Sequence, residues 1–146
     1  MRAVDTNLLV RLAVRDDPRQ VSAAEAFVAS GAWVSQLVLL EFVWVLESVY
    51  RLGAGELAAA VDILLNHAQL TVDGSEAVAA ALDRFRGRTG VAFSDCLVLE
   101  AARKAGHLPL GTFGRKLARL PGAVRVDAAP GRAPSWSGRS RARRSR

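Results

Sequence analysis

Three carboxylates stand where a lone carboxylate is out of place. Asp5 follows the apolar start of the chain. Glu41 lies inside "QLVLLEFVWVLES", with Leu37, Leu40, Phe42 and Val45 around it. Asp95 follows "VAF" and precedes "CLVLE". Burying an ionised carboxylate is costly unless something pairs with it. Three carboxylates that converge repel one another, and a divalent cation is their shared solution. Oxygen-only donors suit Mg²⁺ or Mn²⁺ better than Zn²⁺. No Cys/His pattern competes, because His67 and His107 are isolated and the single cysteine, Cys96, heads into apolar sequence and reads as packing.

Each acid also has a plainer role. Asp5 in "DTN" can cap the helix that follows it. Asp95 can be a first-turn acid favoured by the helix dipole. Glu41 can pair with a buried arginine such as Arg11. Glu47 and Glu100 lie near polar positions and are expected at the surface. Trp33, Phe42 and Trp44 read as core or interface.

The elements that would position these acids alternate. "MRAV" reads as a strand and "TNLLVRLAV" as a helix. "PRQVSAAEAFVAS" is a helix with proline at its start, and "AWVS" a strand. "QLVLLEFVWVLESVYR" is a long helix ended by Gly53. "GELAAAVDILLNH" is a helix and "LTVD" a strand. "GSEAVAAALDRFRGR" is a helix with Ser75 as its N-cap, and "FSDCLVLEAARKAG" one with Ser94 as cap and Gly106 at its end. "LPLGTF" is a strand, "RKLARL" a helical turn and "AVRVD" the last strand. Strands separated by helices imply crossover connections, and so an α/β fold with a mainly parallel sheet flanked by helices. In such sheets ligands bind beyond the carboxyl ends of the strands. Asp5 falls at the end of the first strand.

At 146 residues and 51% hydrophobic, the chain fits one domain with a real core. The net charge of +6 has a specific location. Of 20 basic residues, six arginines (132, 139, 141, 143, 144 and 146) fall after residue 127, leaving 14 against 14 acids. The expected organisation is a neutral domain, residues 1–127, and an Arg-rich tail, residues 128–146, that reads as disordered. One cysteine excludes an internal disulfide and favours a reducing, cytoplasmic setting. No signal peptide or membrane span is visible.

Four stretches occur in series: "VDTNLLVRL", "LLEFVWVLESVYR", "VAFSDCLVLEAARKAG" and "TFGRKLARLPG". Together they resemble the PIN-domain ribonucleases, specifically the VapC-type toxins of bacterial toxin–antitoxin pairs. The resemblance implies a PIN-like three-layer fold and hydrolysis of RNA phosphodiesters with Mg²⁺ or Mn²⁺. Carried over by position, Asp5 and Asp95 are metal ligands and Glu41 is the acid on the long helix, with Asn7 and Thr112 as supporting hydrogen-bonding residues. It also implies a homodimer and a cognate antitoxin that occludes the site. One position departs from the pattern. Where the family commonly carries an acid two residues after the threonine, this chain reads Thr112-Phe113-Gly114. That raises an alternative, a catalytically inactive module that binds RNA or an antitoxin. A DNA-directed or flap-type nuclease is a third reading, against which the neutral charge of the domain argues mildly.

Overall fold

In the computed structural model, residues 1–87 and 90–127 are described. Three short strands form one parallel ladder in the order β1 (Arg2–Ala3), β2 (Ala32–Val34), β3 (Leu70–Val72). Two more, β4 (Leu110–Thr112) and β5 (Ala123–Arg125), pair parallel in a second ladder. The expected parallel α/β arrangement is therefore found, with its hydrogen-bonded strands divided three and two. The Arg-rich tail, residues 128–146, lies outside the described residues.

Among the described residues six helices connect the strands. α1 (Thr6–Val14) starts where Asp5 caps it, and α2 (Pro18–Val28) where Asp17 accepts from the amides of Arg19 and Gln20. α3 (Gln36–Ser48) starts at Ser35, whose Oγ accepts from Val38 N. α4 (Ala54–Leu65), α5 (Ser75–Gly87) and α6 (Phe93–Lys104) complete the set. A single 3₁₀ turn, Leu117–Arg119, lies between β4 and β5.

Several helix ends differ from those expected. α3 stops at Ser48 rather than running to Gly53. Arg51 takes a left-handed conformation at φ 57° and Leu52 N–H reaches back to Leu46 O, which closes the helix as a glycine normally would. Gly53 instead opens α4, its amide bonded to Glu56 Oε1. Ser75 is the first residue of α5 rather than its cap; the first helical bond runs from Val78 N to Gly74 O. Ser94 is likewise inside the first turn of α6, whose cap is Ala92.

The core is one cluster, with Leu9, Val34, Leu39, Phe42, Leu46, Val61, Val78, Cys96, Leu97 and Leu99 fully enclosed. α3 contributes Leu39, Phe42, Val43 and Leu46, the i, i+3, i+4, i+7 stripe of one helix face. Its opposite face is exposed although it too carries apolar residues, with Leu37 80% and Trp44 62% accessible. α6 buries the corresponding stripe Phe93, Cys96, Leu97, Glu100 against α5.

Glu100 was expected at the surface, and the structure corrects this: it is 6% exposed. It occupies a core position of its helix, and the charge is tolerated there because Arg84 of α5 donates Nε to Oε1 and Arg103 Nε lies 3.5 Å from Oε2. The Arg103 contact is an ion pair without hydrogen-bond geometry, since that Nε has no hydrogen-bond partner. Arg103 also donates Nη2 to Pro121 O at 2.6 Å, tying α6 to the turn that enters β5.

Candidate active site

The parallel ladder ends at Ala3, Val34 and Val72; Ser35 and Asp73 directly follow β2 and β3, and Asp5 follows β1 after Val4. After β1, Val4 N–H bonds to Trp33 O and the next residue, Asp5, turns the chain into α1. Asp5 Oδ1 accepts from Leu8 N at 3.0 Å. The capping role open to Asp5 is thus real, and it engages one oxygen only. Oδ2 makes no hydrogen bond among the described residues.

Thr6, the first residue of α1, is 7% exposed and donates Oγ1 to Glu41 Oε2 at 2.8 Å. This bond holds the α3 acid against the turn that carries Asp5. Glu41 itself is exposed, not enclosed. Its apolar sequence neighbours misrepresent its setting because Leu37 and Trp44 share its outward face. Arg11 is not its partner. That guanidinium pairs with Asp16 and Tyr50, and the Arg11 hydrogen bond holds the Asp16 carboxyl below its usual range. Like Asp5, Glu41 has one oxygen fixed and one, Oε1, without a hydrogen bond among the described residues.

Asp95 lies in the first turn of α6, half-buried, where the helix dipole favours a negative charge. Among the described residues no hydrogen bond or ion pair engages it. Cys96 beside it is enclosed in the core, and burial pushes its thiol up, with the Asp95 charge adding to the effect.

The two expected supporting residues sit apart from these contacts. Asn7 is exposed on α1, lining a shallow cleft with Arg11, Gln20 and Phe27, and its side chain has no hydrogen bond to the acids. Thr112 Oγ1 accepts from Gly114 N at 2.9 Å, so it shapes its own loop. The residue that fixes an acid is Thr6, which sequence reasoning passed over. Its signal was its position between Asp5 and Asn7 in "DTN". Gln36 was also passed over. Its Nε2 donates to Asp73 O at 3.3 Å and bridges the ends of β2 and β3.

Among the described residues no group of three or more His, Cys, Asp or Glu is gathered tightly enough to hold a metal ion. The donor chemistry nonetheless fits a hard divalent cation. Mg²⁺ keeps several waters and takes one or two carboxylates rather than a closed protein cage. Asp5 and Glu41 offer one unengaged carboxylate oxygen each, and Asp95 offers two.

Comparison with known proteins gives two similarities. A family model described as PIN domain matches residues 2–123. Among solved structures, the chain is similar to VapC20 of Mycobacterium tuberculosis, described as a Sarcin-Ricin loop cleaving toxin. That similarity has 20% sequence identity and a TM-score of 0.39, over 81% of this chain and 93% of the other. Among curated protein sequences nothing matches.

Proposed function

The chain belongs to the PIN-domain family, whose match spans nearly all of the described chain, and from that premise we propose that it is a divalent-metal-dependent endoribonuclease. Its role is that of the toxin in a type II toxin–antitoxin pair. The observation that carries this reading is the Thr6–Glu41 hydrogen bond. It sets the acid of the third helix beside the capping turn of Asp5, at the carboxyl end of the parallel sheet, where α/β folds bind ligands.

Asp5 and Asp95 are the residues that would hold Mg²⁺ or Mn²⁺, with Glu41 beside the Asp5 turn. When bound, the cation supplies charge neutralisation at the scissile phosphate and a more acidic water. The chain's own contribution is orientation. Capping fixes Asp5 through Oδ1 and leaves Oδ2 without a hydrogen bond among the described residues. Thr6 fixes Glu41 through Oε2 and leaves Oε1 to accept a proton from the attacking water. No side-chain nucleophile takes part, and Cys96 is enclosed in the core.

The exposed apolar face of α3, with Leu37 and Trp44, supports a protein-binding role there, either a second copy or an antitoxin. No helix among the described residues is long and apolar enough to cross a membrane, and the proposed setting is the cytoplasm.

Gly114 motivates the second reading, an inactive module that keeps RNA or antitoxin affinity. The deciding experiment is cleavage of a mixed-sequence single-stranded RNA with Mg²⁺ or Mn²⁺, beside an EDTA control, Asp5→Asn and Gly114→Asp. Cleavage by the native chain that EDTA and Asp5→Asn both abolish supports the nuclease. Cleavage by Gly114→Asp alone makes the native chain a binding module. Cleavage that survives Asp5→Asn assigns the activity to another site.

A further inference from the structure

From β4 to residue 127 the charge is one-sided. Arg115, Lys116, Arg119 and Arg125 face a single acid, Asp127, within a domain whose 14 basic and 14 acidic residues cancel. All four cations are exposed. The ion pairs among the described residues engage Arg11, Arg15, Arg84, Arg86, Arg103 and Lys104, and none engages these four. Phe113, two residues before Arg115 in the loop that follows β4, is 70% exposed. It takes no part in the aromatic or cation–π contacts of the described residues.

The backbone that presents this group is well tied. Val126 N–H bonds to Thr112 O, Gly114 N–H to Thr112 Oγ1, and Ala118 N–H to Gly114 O. The 3₁₀ turn packs on both β4 and β5. Lys116 extends across to Gly90, where an added Cβ would lie 2.9 Å from its Nζ. Gly90 lies two residues before the Ala92 cap of α6, so Lys116 reaches the segment that leads into that helix.

A water-exposed ring in one loop with cations that no described residue pairs has the two components that single-stranded nucleic acid needs. The ring offers a face for one base, and the cations follow the phosphates. A duplex hides its base faces, and an acidic peptide has no use for the ring. We propose that Phe113, Arg115, Lys116, Arg119 and Arg125 form a binding subsite for single-stranded RNA, with Phe113 stacking on one base and the cations on neighbouring phosphates. This rests on RNA as the substrate and goes beyond it by naming the surface that holds the strand.

The test is binding of a fluorescently labelled single-stranded RNA to the full chain in EDTA, read by anisotropy across a salt titration, so that cleavage cannot intrude. Phe113→Ala is expected to weaken binding about tenfold, since a stacked base contributes on that order, while Phe113→Trp retains it. The double variant Arg115→Ala/Lys116→Ala is expected to flatten the slope of log K against log salt by about 1.4, for two phosphate contacts on a single strand. Arg15→Ala, which removes a cation already paired with Glu25, leaves that slope unchanged. Unaltered affinity in Phe113→Ala, or an unaltered slope in the double variant, overturns the subsite. So does displacement of the RNA by poly-glutamate with Phe113→Ala silent, which would assign the cations to an acidic protein. Loss of cleavage with this binding pattern intact would count against the nuclease and leave the subsite standing; the reverse pattern would do the opposite.

Discussion

Thr6 and Glu41, 35 positions apart in sequence, are joined by a 2.8 Å hydrogen bond from hydroxyl to carboxylate. Thr6 begins α1 immediately after the Asp5 cap, and Glu41 sits midway along α3. Packing of α1 on α3 brings them together, so the bond couples the position of one acid to the turn that holds another.

That coupling makes Thr6 a positioning residue for Glu41. Thr6→Val keeps the shape and removes the donor. It is expected to lower RNA cleavage about tenfold, in keeping with about 1.5 kcal/mol for a hydrogen bond to a charged group. Thr6→Ser should restore most of the rate. The distinguishing measurement is a double-mutant cycle with Glu41→Ala. A Thr6 that acts only by holding Glu41 has no further effect on the rate once that carboxylate is gone, whereas a merely structural Thr6 lowers the rate by the same factor in both backgrounds.

Glu100 leads to a prediction about stability. Its carboxylate is enclosed between Arg84 and Arg103. Glu100→Gln leaves both guanidiniums without their counter-charge. A fully buried pair so broken costs several kcal/mol, and the partial exposure of both arginines reduces this to about 2 kcal/mol. Urea unfolding should show a lower midpoint with an unchanged slope. An unchanged midpoint would mean that water, not Glu100, satisfies the arginines.

The chain's pattern revealed its elements better than its surfaces. The strand and helix alternation was legible because apolar runs and turn residues separate the elements, although the caps expected at Ser75 and Ser94 and the stop expected at Gly53 fall elsewhere. Exposure was not. Glu41 looked enclosed because Leu37 and Trp44 are apolar, yet both lie on the outward face of α3. Glu100 looked exposed because Arg103 and Lys104 follow close behind it, yet it falls on the buried stripe of α6. In each case helical phase, not local composition, decides where the side chain goes. The Thr6–Glu41 contact was out of reach for a further reason: sequence spacing does not say which face of α1 meets α3.

Cys96 supplies a prediction with a sign. Burial raises its thiol pKa, so the folded state favours the neutral form. Alkylation by iodoacetamide at pH 8 should be negligible in the native protein and rapid in urea. Because the unfolded thiol ionises first, stability from this group is complete below about pH 8.5 and falls as pH rises beyond it. Cys96→Ala should remove that alkaline decline, at a cost in packing. Native-state labelling as fast as that of a free thiol would place Cys96 in contact with water.

Gly114 is where the chain departs from the family pattern, and its geometry decides what a repair would do. Its backbone is not in the left-handed region, so a side chain meets no conformational strain there. An added Cβ would lie 3.3 Å from Thr112 Oγ1 and 3.9 Å from Leu117 Cβ. The first contact is tight, and a small shift of the threonine side chain relieves it while the Gly114 N–H to Oγ1 bond adjusts. Gly114→Asp is therefore expected to fold with a stability change within about 1 kcal/mol. If the loop borders the proposed metal-binding acids, the new carboxylate should tighten Mn²⁺ binding, measured by calorimetry, and raise cleavage at limiting metal. It should do neither in an Asp5→Asn background. A folded Gly114→Asp protein whose Mn²⁺ affinity and cleavage rate both equal those of the native chain would show that this loop does not reach the acids. The expected fourth carboxylate would then have no role in this protein.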